Sequence, residues 1–246
     1  GANETLLGKA LADRRSDIFL ASKCGMTGVD GKRVIDGRPE TLQATVEASL
    51  MRLKTDHIDL YYLHRWDKSV PVEESIGALS KMVEQGKIGG IGLSEVSANT
   101  LLKAHAVHAI TAVQTEYSLW TRNPEIAVLD TCETLGVTFV AFSPLARGFL
   151  AGGDCSPEHL QQGDIRKGMP RFQTDNFDKN LMLYDAFKAI ANEENSTPGQ
   201  LALAWLLHRK PFIVPIPGTR SLAHLKENLA ASQVKPSTET MRKLEH

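Results

Sequence analysis

Three apolar runs in this chain end on groups able to handle a proton or a nucleotide. Ile18-Phe19-Leu20-Ala21-Ser22-Lys23 ends on an amine, Ile58-Asp59-Leu60-Tyr61-Tyr62-Leu63-His64 on an imidazole, and Phe139-Val140-Ala141-Phe142-Ser143-Pro144 on a hydroxyl followed by proline. Parallel α/β proteins gather their active sites at the carboxyl ends of strands. Lys23 and His64 therefore carry more weight than any contiguous motif. Alone, a lysine at a strand end is more often a solvated charge, and a histidine closing an apolar strand is commonly a satisfied core group. The other histidines, His57, His105, His108, His159, His208, His224 and His246, form no metal-ligand pattern, and no metal site is expected.

The elements that must position these groups alternate. Strands are expected over 17–23, 58–64, 88–94, 111–117, 137–143 and 211–216, each bounded by polar or glycine punctuation. Amphipathic helices are expected over 40–53, where Leu42, Val46, Leu50 and Leu53 recur at helical spacing, and over 72–85, 97–107, 124–135 and 197–208. A further helix opens the chain over 3–12. Ser97 is a candidate N-cap, and Gly86 and Gly136 sit where helices must stop. The segment 145–178 mixes glycine, proline and charge with little periodicity, which predicts a long loop closing over a ligand.

Alternating β and α units build either a doubly wound sheet or a barrel. No G-x-G-x-x-G turn follows the first strand, and Gly89-Gly90-Ile91-Gly92 has the wrong spacing and lies within a strand pattern. The (β/α)8 barrel is favoured, with six of its eight strands in this chain. An incomplete barrel exposes strand edges at 17–23 and 211–216, so an amino-terminal truncation is expected, with oligomer contacts through the open edges as one way to cover them. The 246 residues, 42% hydrophobic and 23% charged, are read as a single domain over 1–246. A net charge of −1 gives no electrostatic reason for a nucleic-acid or anionic-membrane partner. Cys24, Cys132 and Cys155 are too scattered for a disulfide framework, and no basic-then-apolar leader or membrane-length apolar run is present, so a cytoplasmic location is expected.

Six ordered motifs resemble those of the aldo-keto reductases. They are Ser22-Lys23-Cys24-Gly25, Asp59-Leu60-Tyr61-Tyr62-Leu63-His64-Arg65, Gly86-Lys87-Ile88 through Ile91-Gly92-Leu93-Ser94, Ala112-Val113-Gln114-Thr115-Glu116-Tyr117-Ser118-Leu119-Trp120, Phe142-Ser143-Pro144-Leu145-Ala146-Arg147-Gly148 and Pro215-Ile216-Pro217-Gly218-Thr219-Arg220. The resemblance implies a (β/α)8 barrel that reduces small-molecule aldehydes and ketones by hydride transfer from NADPH, without a Rossmann fold. Of the family's catalytic Asp, Tyr, Lys and His, Lys23 matches the lysine and His64 the histidine. The aspartate and tyrosine would fall before Gly1, so severe loss of reductase activity is expected of residues 1–246 taken alone. The alternative is an inactive nicotinamide-nucleotide-binding sensor or interaction subunit.

The same resemblance assigns the cofactor contacts. Ser94 and Gln114 suit the nicotinamide carboxamide, and Phe142 offers a stacking face where many relatives carry tyrosine. Ser143, Leu145, Arg147 and Gly148 would wrap the pyrophosphate. Gly218, Thr219 and Arg220 lead into a helix beginning near Ser221, with Arg220 gripping a 2′-phosphate and favouring NADP over NAD. Glu227 and Asn228 match adenine contacts, and His224 stands where arginine is common. Glu95 replaces the asparagine that often follows the serine. Trp66 and Trp120, on strand-end loops, are the candidate substrate walls, with Cys24, Met26 and Phe149 as further candidates.

Overall fold

The computed structural model describes residues 1–29 and 32–245, and His246 lies outside them. It divides into two compact units, Gly1–Thr115 with Glu125–Phe139, and Glu116–Pro124 with Val140–His246. All six expected strands are present.

The first unit runs α1 (Ala2–Ala10), β1 (Ala21–Cys24), β2 (Met26–Val29), β3 (Lys32–Ile35), α2 (Pro39–Leu53), β4 (Leu60–Leu63), α3 (Val72–Glu84), β5 (Ile91–Ser94), α4 (Ala98–Val107), β6 (Ile110–Glu116) and α5 (Val128–Leu135). β1, β4, β5 and β6 pair in parallel in that order. α2 buries Leu42, Val46, Leu50 and Leu53, the stripe its spacing predicts. α1 lies against the end of α2 because Gly8 has no side chain: a Cβ there would sit 2.5 Å from the Arg52 carbonyl oxygen. Ser97 caps α4 by accepting from the Thr100 amide, and Gly136 ends α5 in the left-handed region at φ 67°.

Register decides which side chains share a face. Lys23 lies opposite Tyr62, Tyr62 opposite Gly92, and Gly92 opposite Ala112. One pleat further on, Ser94 lies opposite Gln114, and His64 follows Tyr62 by two residues on the same side. Tyr62 fits this layer because Gly92 leaves room for its ring, a Cβ at position 92 falling 2.3 Å from Cδ1.

β7 (Thr138–Phe142) begins in the first unit and enters the second at Val140, and the second unit continues with α6 (Thr174–Glu193), α7 (Pro198–Arg209), β8 (Ile213–Pro215), α8 (Leu222–Ala230) and α9 (Thr238–Lys243). A capping box between Thr197 and Gln200 starts α7, which buries Leu201, Leu203, Trp205 and Leu206. The Ile216 amide donates to the Ala141 carbonyl at 3.0 Å, tying the end of β8 to β7.

Three expectations need correction. The first strand begins at Ala21, not at 17, because Arg15 pins a 3₁₀ turn over Arg15–Asp17 by donating to the Ile18 and His57 carbonyls and to Asp59. The helix expected over 124–135 begins at Val128, after a 3₁₀ turn over Asn123–Ile126 that holds Pro124. The segment 145–178 is not an open loop. Phe149, Leu150, Cys155, Leu160 and Phe172 within it are core residues, and α6 begins at Thr174. The β2–β3 hairpin and α9 add elements that no sequence pattern announced. No helix among the described residues is long and apolar enough to cross a membrane.

Replacing Gly92 by alanine drives a methyl into the Tyr62 ring. We expect Gly92→Ala to cost about 1–3 kcal/mol, the usual range for overpacking, read as a lower Tm in thermal melts. An unchanged Tm would show that the Tyr62 layer yields freely.

Candidate active site

In the first unit, Lys23 and His64 come together. Both line a cleft of about 940 Å³ at the carboxyl ends of β1 and β4, with Met26, Thr27 and Gly28 of the hairpin along one side and Glu4, Thr41 and Arg52 along another. Strand pairing fixes their approach, since the His64 amide donates to the Cys24 carbonyl at 2.9 Å, one residue beyond Lys23. The floor is also tied down. Glu4 accepts from Ser22 at 2.5 Å and from Arg52 at 2.7 Å, so α1 is latched to β1 and α2 through one half-buried carboxylate.

Electrostatics sets the protonation of the pair. Burial, then Arg65, Lys23 and Arg33, push His64 down to about 4, so its imidazole is neutral at physiological pH. Burial and the neighbouring Arg65 also lower Lys23 from its ordinary value. A cation–π contact carries the ammonium over the Tyr62 ring at 5.6 Å from the centroid. The two nearby tyrosines are spent. Tyr61 Oη shares a hydrogen bond with Ser49 Oγ at 2.8 Å, and Tyr62, pushed up to about 12 by burial, hydrogen-bonds Gln114.

Ser94 is buried at the end of β5, and Gln114 is buried two residues before the end of β6. Arg65, which sequence reasoning passed over, sits between His64 and Ser94: its Nη1 donates to the His64 carbonyl at 2.6 Å and to Ser94 Oγ at 3.1 Å. Only the direct adjacency to His64 in the motif hinted at this. Trp66 is half-buried, its indole N–H held by the Val70 carbonyl at 2.9 Å. Met26 lines the cleft, whereas Cys24 is buried with its thiol directed at the Tyr62 carbonyl, so it is no substrate wall.

In the second unit, the turn after β7 concentrates backbone strain. Ser143, Ala146 and Arg147 have φ of 49°, 48° and 60°, values L side chains rarely adopt, and Gly148 follows at 95°. Leu145 and Phe142 are half-buried. Glu116 gathers the turn by accepting from Arg147 at 3.1 Å and from Arg171 at 3.3 Å. Trp120 packs edge-on against Phe149 at 4.1 Å with Arg171 over its ring, and Phe149, a buried core residue, lines a cleft together with Trp120. Gly218, Thr219 and Arg220 are exposed ahead of α8, which Ser221 caps by accepting from the His224 amide. His224 is exposed, Asn228 is half-buried, and Glu227 accepts from Thr197 Oγ1 at 2.5 Å. Among the described residues no cluster of His, Cys, Asp or Glu is placed to hold a metal ion.

Comparison with known proteins settles the family. The profile described as the aldo/keto reductase family matches residues 1–246. The chain belongs to that family. A probable aldo-keto reductase of Glycine max is 45% identical over 246 residues, covering 99% of this chain and 70% of that protein. An NADP(+) aldo-keto reductase of Schizosaccharomyces pombe is 45% identical over 251 residues, covering 99% of this chain and 74% of that protein. Among solved structures, a glycerol dehydrogenase of Gluconobacter oxydans superposes with a TM-score of 0.89 at 27% identity, over 98% of this chain and 75% of that one. A thermostable aldo-keto reductase solved with the inhibitor epalrestat gives 0.77 at 33% identity, over 100% and 77%. The six parallel strands are thus those of the (β/α) barrel of aldo/keto reductases, a family of oxidoreductases.

Within this aldo/keto reductase the depressed His64 has a measurable consequence. Its folded value near 4 lies below its ordinary 6.5. Above pH 6.5 neither state binds the proton, while from 6.5 down to 4 the unfolded chain takes one that the folded site refuses. Stability therefore falls across that window and this group adds no further loss below it. Replacing His64 by glutamine should flatten the Tm-against-pH curve between pH 6.5 and 4. An identical slope in both proteins would place the imidazole in an environment no different from water.

Proposed function

We propose that this protein reduces aldehydes or ketones to alcohols with NADPH, with Lys23 and His64 acting at the carbonyl. The observation that carries this reading is the shared cleft of an ammonium and an imidazole held neutral beside it. The bound nicotinamide would supply hydride to the carbonyl carbon. As charge develops on the oxygen, the neutral His64 donates an N–H to it and fixes its orientation, and the Lys23 ammonium stabilises the negative charge. The proton that converts the alkoxide to the alcohol comes from solvent water reaching the open cleft, and not from Tyr61 or Tyr62, whose hydroxyls bond Ser49 and Gln114 within the protein.

The residues present suit a nicotinamide dinucleotide. Ser94 is 2% exposed and its hydroxyl accepts from Arg65, and among the described residues no hydrogen bond donated by that hydroxyl is found. A carboxamide oxygen matches that donor, and the Gln114 side-chain amide supplies the complementary groups. In the second unit we assign ring stacking to the half-buried Phe142, the pyrophosphate to Ser143, Leu145, Arg147 and Gly148, and the 2′-phosphate to Arg220 with Gly218 and Thr219. A Cβ built at Gly218 meets nothing within 4 Å, so the approach to this turn is open. His224, Glu227 and Asn228 are assigned to the adenosine end, and Trp66 and Trp120 to the walls that receive the substrate's apolar part.

Titration of NADPH and NADH against tryptophan fluorescence tests the nucleotide, and NADPH absorbance with an aromatic aldehyde tests the reaction. NADPH should bind more tightly than NADH, and Arg220→Met should weaken NADPH alone. Lys23→Met and His64→Gln should each lower kcat by about 10²-fold or more. Failure of both nucleotides to bind would remove the site altogether. Tight binding without turnover would replace the reductase by a nucleotide-binding role.

A further inference from the structure

The Ser94 hydroxyl raises a question that the family resemblance does not answer: what holds a buried donor ready while no ligand accepts from it? A serine hydroxyl rotates freely and usually satisfies itself on the nearest carbonyl. Here the hydroxyl's orientation is constrained. Arg65 Nη1 donates to Ser94 Oγ at 3.1 Å and, with its other proton, to the His64 carbonyl at 2.6 Å. One planar nitrogen thus spans the ends of β4 and β5. It occupies one lone pair of the serine and so turns the Ser94 proton away from the guanidinium, and among the described residues no hydrogen bond donated by Ser94 is found.

We propose that Arg65 is a positioning residue for nicotinamide recognition: its guanidinium clips the His64 and Ser94 strand ends together and directs the Ser94 proton outward to the carboxamide. This rests on the assignment of Ser94 to the nucleotide made above. Planarity matters as well as charge, because the two acceptors are met by the two in-plane protons of one nitrogen, whose directions the rigid guanidinium fixes, whereas a lysine ammonium on a flexible stem leaves them free to rotate. The same guanidinium acts on the reactive pair. The charged groups that bear on the imidazole are Arg65, Lys23 on β1 and Arg33 on β3, and Arg65 is the largest of the three. Arg65 therefore serves both ends of the reaction, presenting a donor to the nucleotide and helping to keep His64 neutral for the carbonyl.

A double-mutant cycle on the whole chain tests this. Arg65→Met should weaken NADPH binding about tenfold, the order expected when a buried polar group loses its partner. In a Ser94→Ala background the same substitution should change the affinity little, and Arg65→Lys should restore only part of the loss. By NMR the His64 titration midpoint should move up from about 4 in Arg65→Met. Additive losses in the cycle, with an unmoved His64 midpoint, would reduce Arg65 to a structural clip and overturn the proposal. If Arg65→Met does not fold, Arg65→Gln takes its place in each arm. Equal NADPH affinity in Ser94→Ala and wild type would instead sink the Ser94 assignment, and with it the positioning role. Failure of the wild type to bind NADPH at all would fall on the proposed function, leaving the His64 midpoint to decide whether Arg65 acts on the site.

Discussion

The alignment of parallel strands in the first unit is the constraint on which the site depends. Because side chains alternate along a strand, pairing Lys23 with Tyr62, Tyr62 with Gly92 and Gly92 with Ala112 sets one layer, and His64, Ser94 and Gln114 form the next. A shift by a single residue on β4 would turn both Tyr62 and His64 to the opposite face. The missing side chain at position 92 protects the register, since only there does the Tyr62 ring find its space. The placement of Lys23 and His64 at one cleft thus follows from how one aromatic ring is housed.

The electrostatics follows from that housing. Bringing Lys23, Arg65 and His64 to neighbouring strand ends surrounds an imidazole with cations in partly desolvated space, and the imidazole answers by staying neutral. A neutral imidazole still has one N–H to donate, and it does so without adding another positive charge beside Lys23 and Arg65. The fold therefore sets the chemical state of its histidine before any ligand arrives.

Much of this was legible from residues alone. Strand ends at Lys23, His64 and Ser94 could be read because apolar runs stop there, Gln114 because a family motif carries it, and α2 because its buried residues keep helical spacing. The β2–β3 hairpin was hidden: Met26-Thr27-Gly28 has no alternation of apolar and polar residues, and its strands are stabilised by pairing with each other. α6 was hidden for a different reason. It buries Phe177, Phe187 and Ala191 but exposes Met182 and Leu183, so its apolar residues do not mark its inner face. Arg65 escaped notice because a cation beside a histidine looks solvated until the geometry shows two acceptors on different strands. Division into two compact units lay beyond any pattern in composition.

Phe149 meets Trp120, Phe172, Phe177 and Tyr184 edge-on, with ring centroids between 4.1 and 6.4 Å. A segment anchored on such a hub cannot swing aside without breaking several aromatic contacts at once. Displacing it costs several ring contacts in one step, and those contacts reach residues as far along the chain as Tyr184. The strained turn after β7 is thereby tethered by packing that lies downstream of it in the sequence.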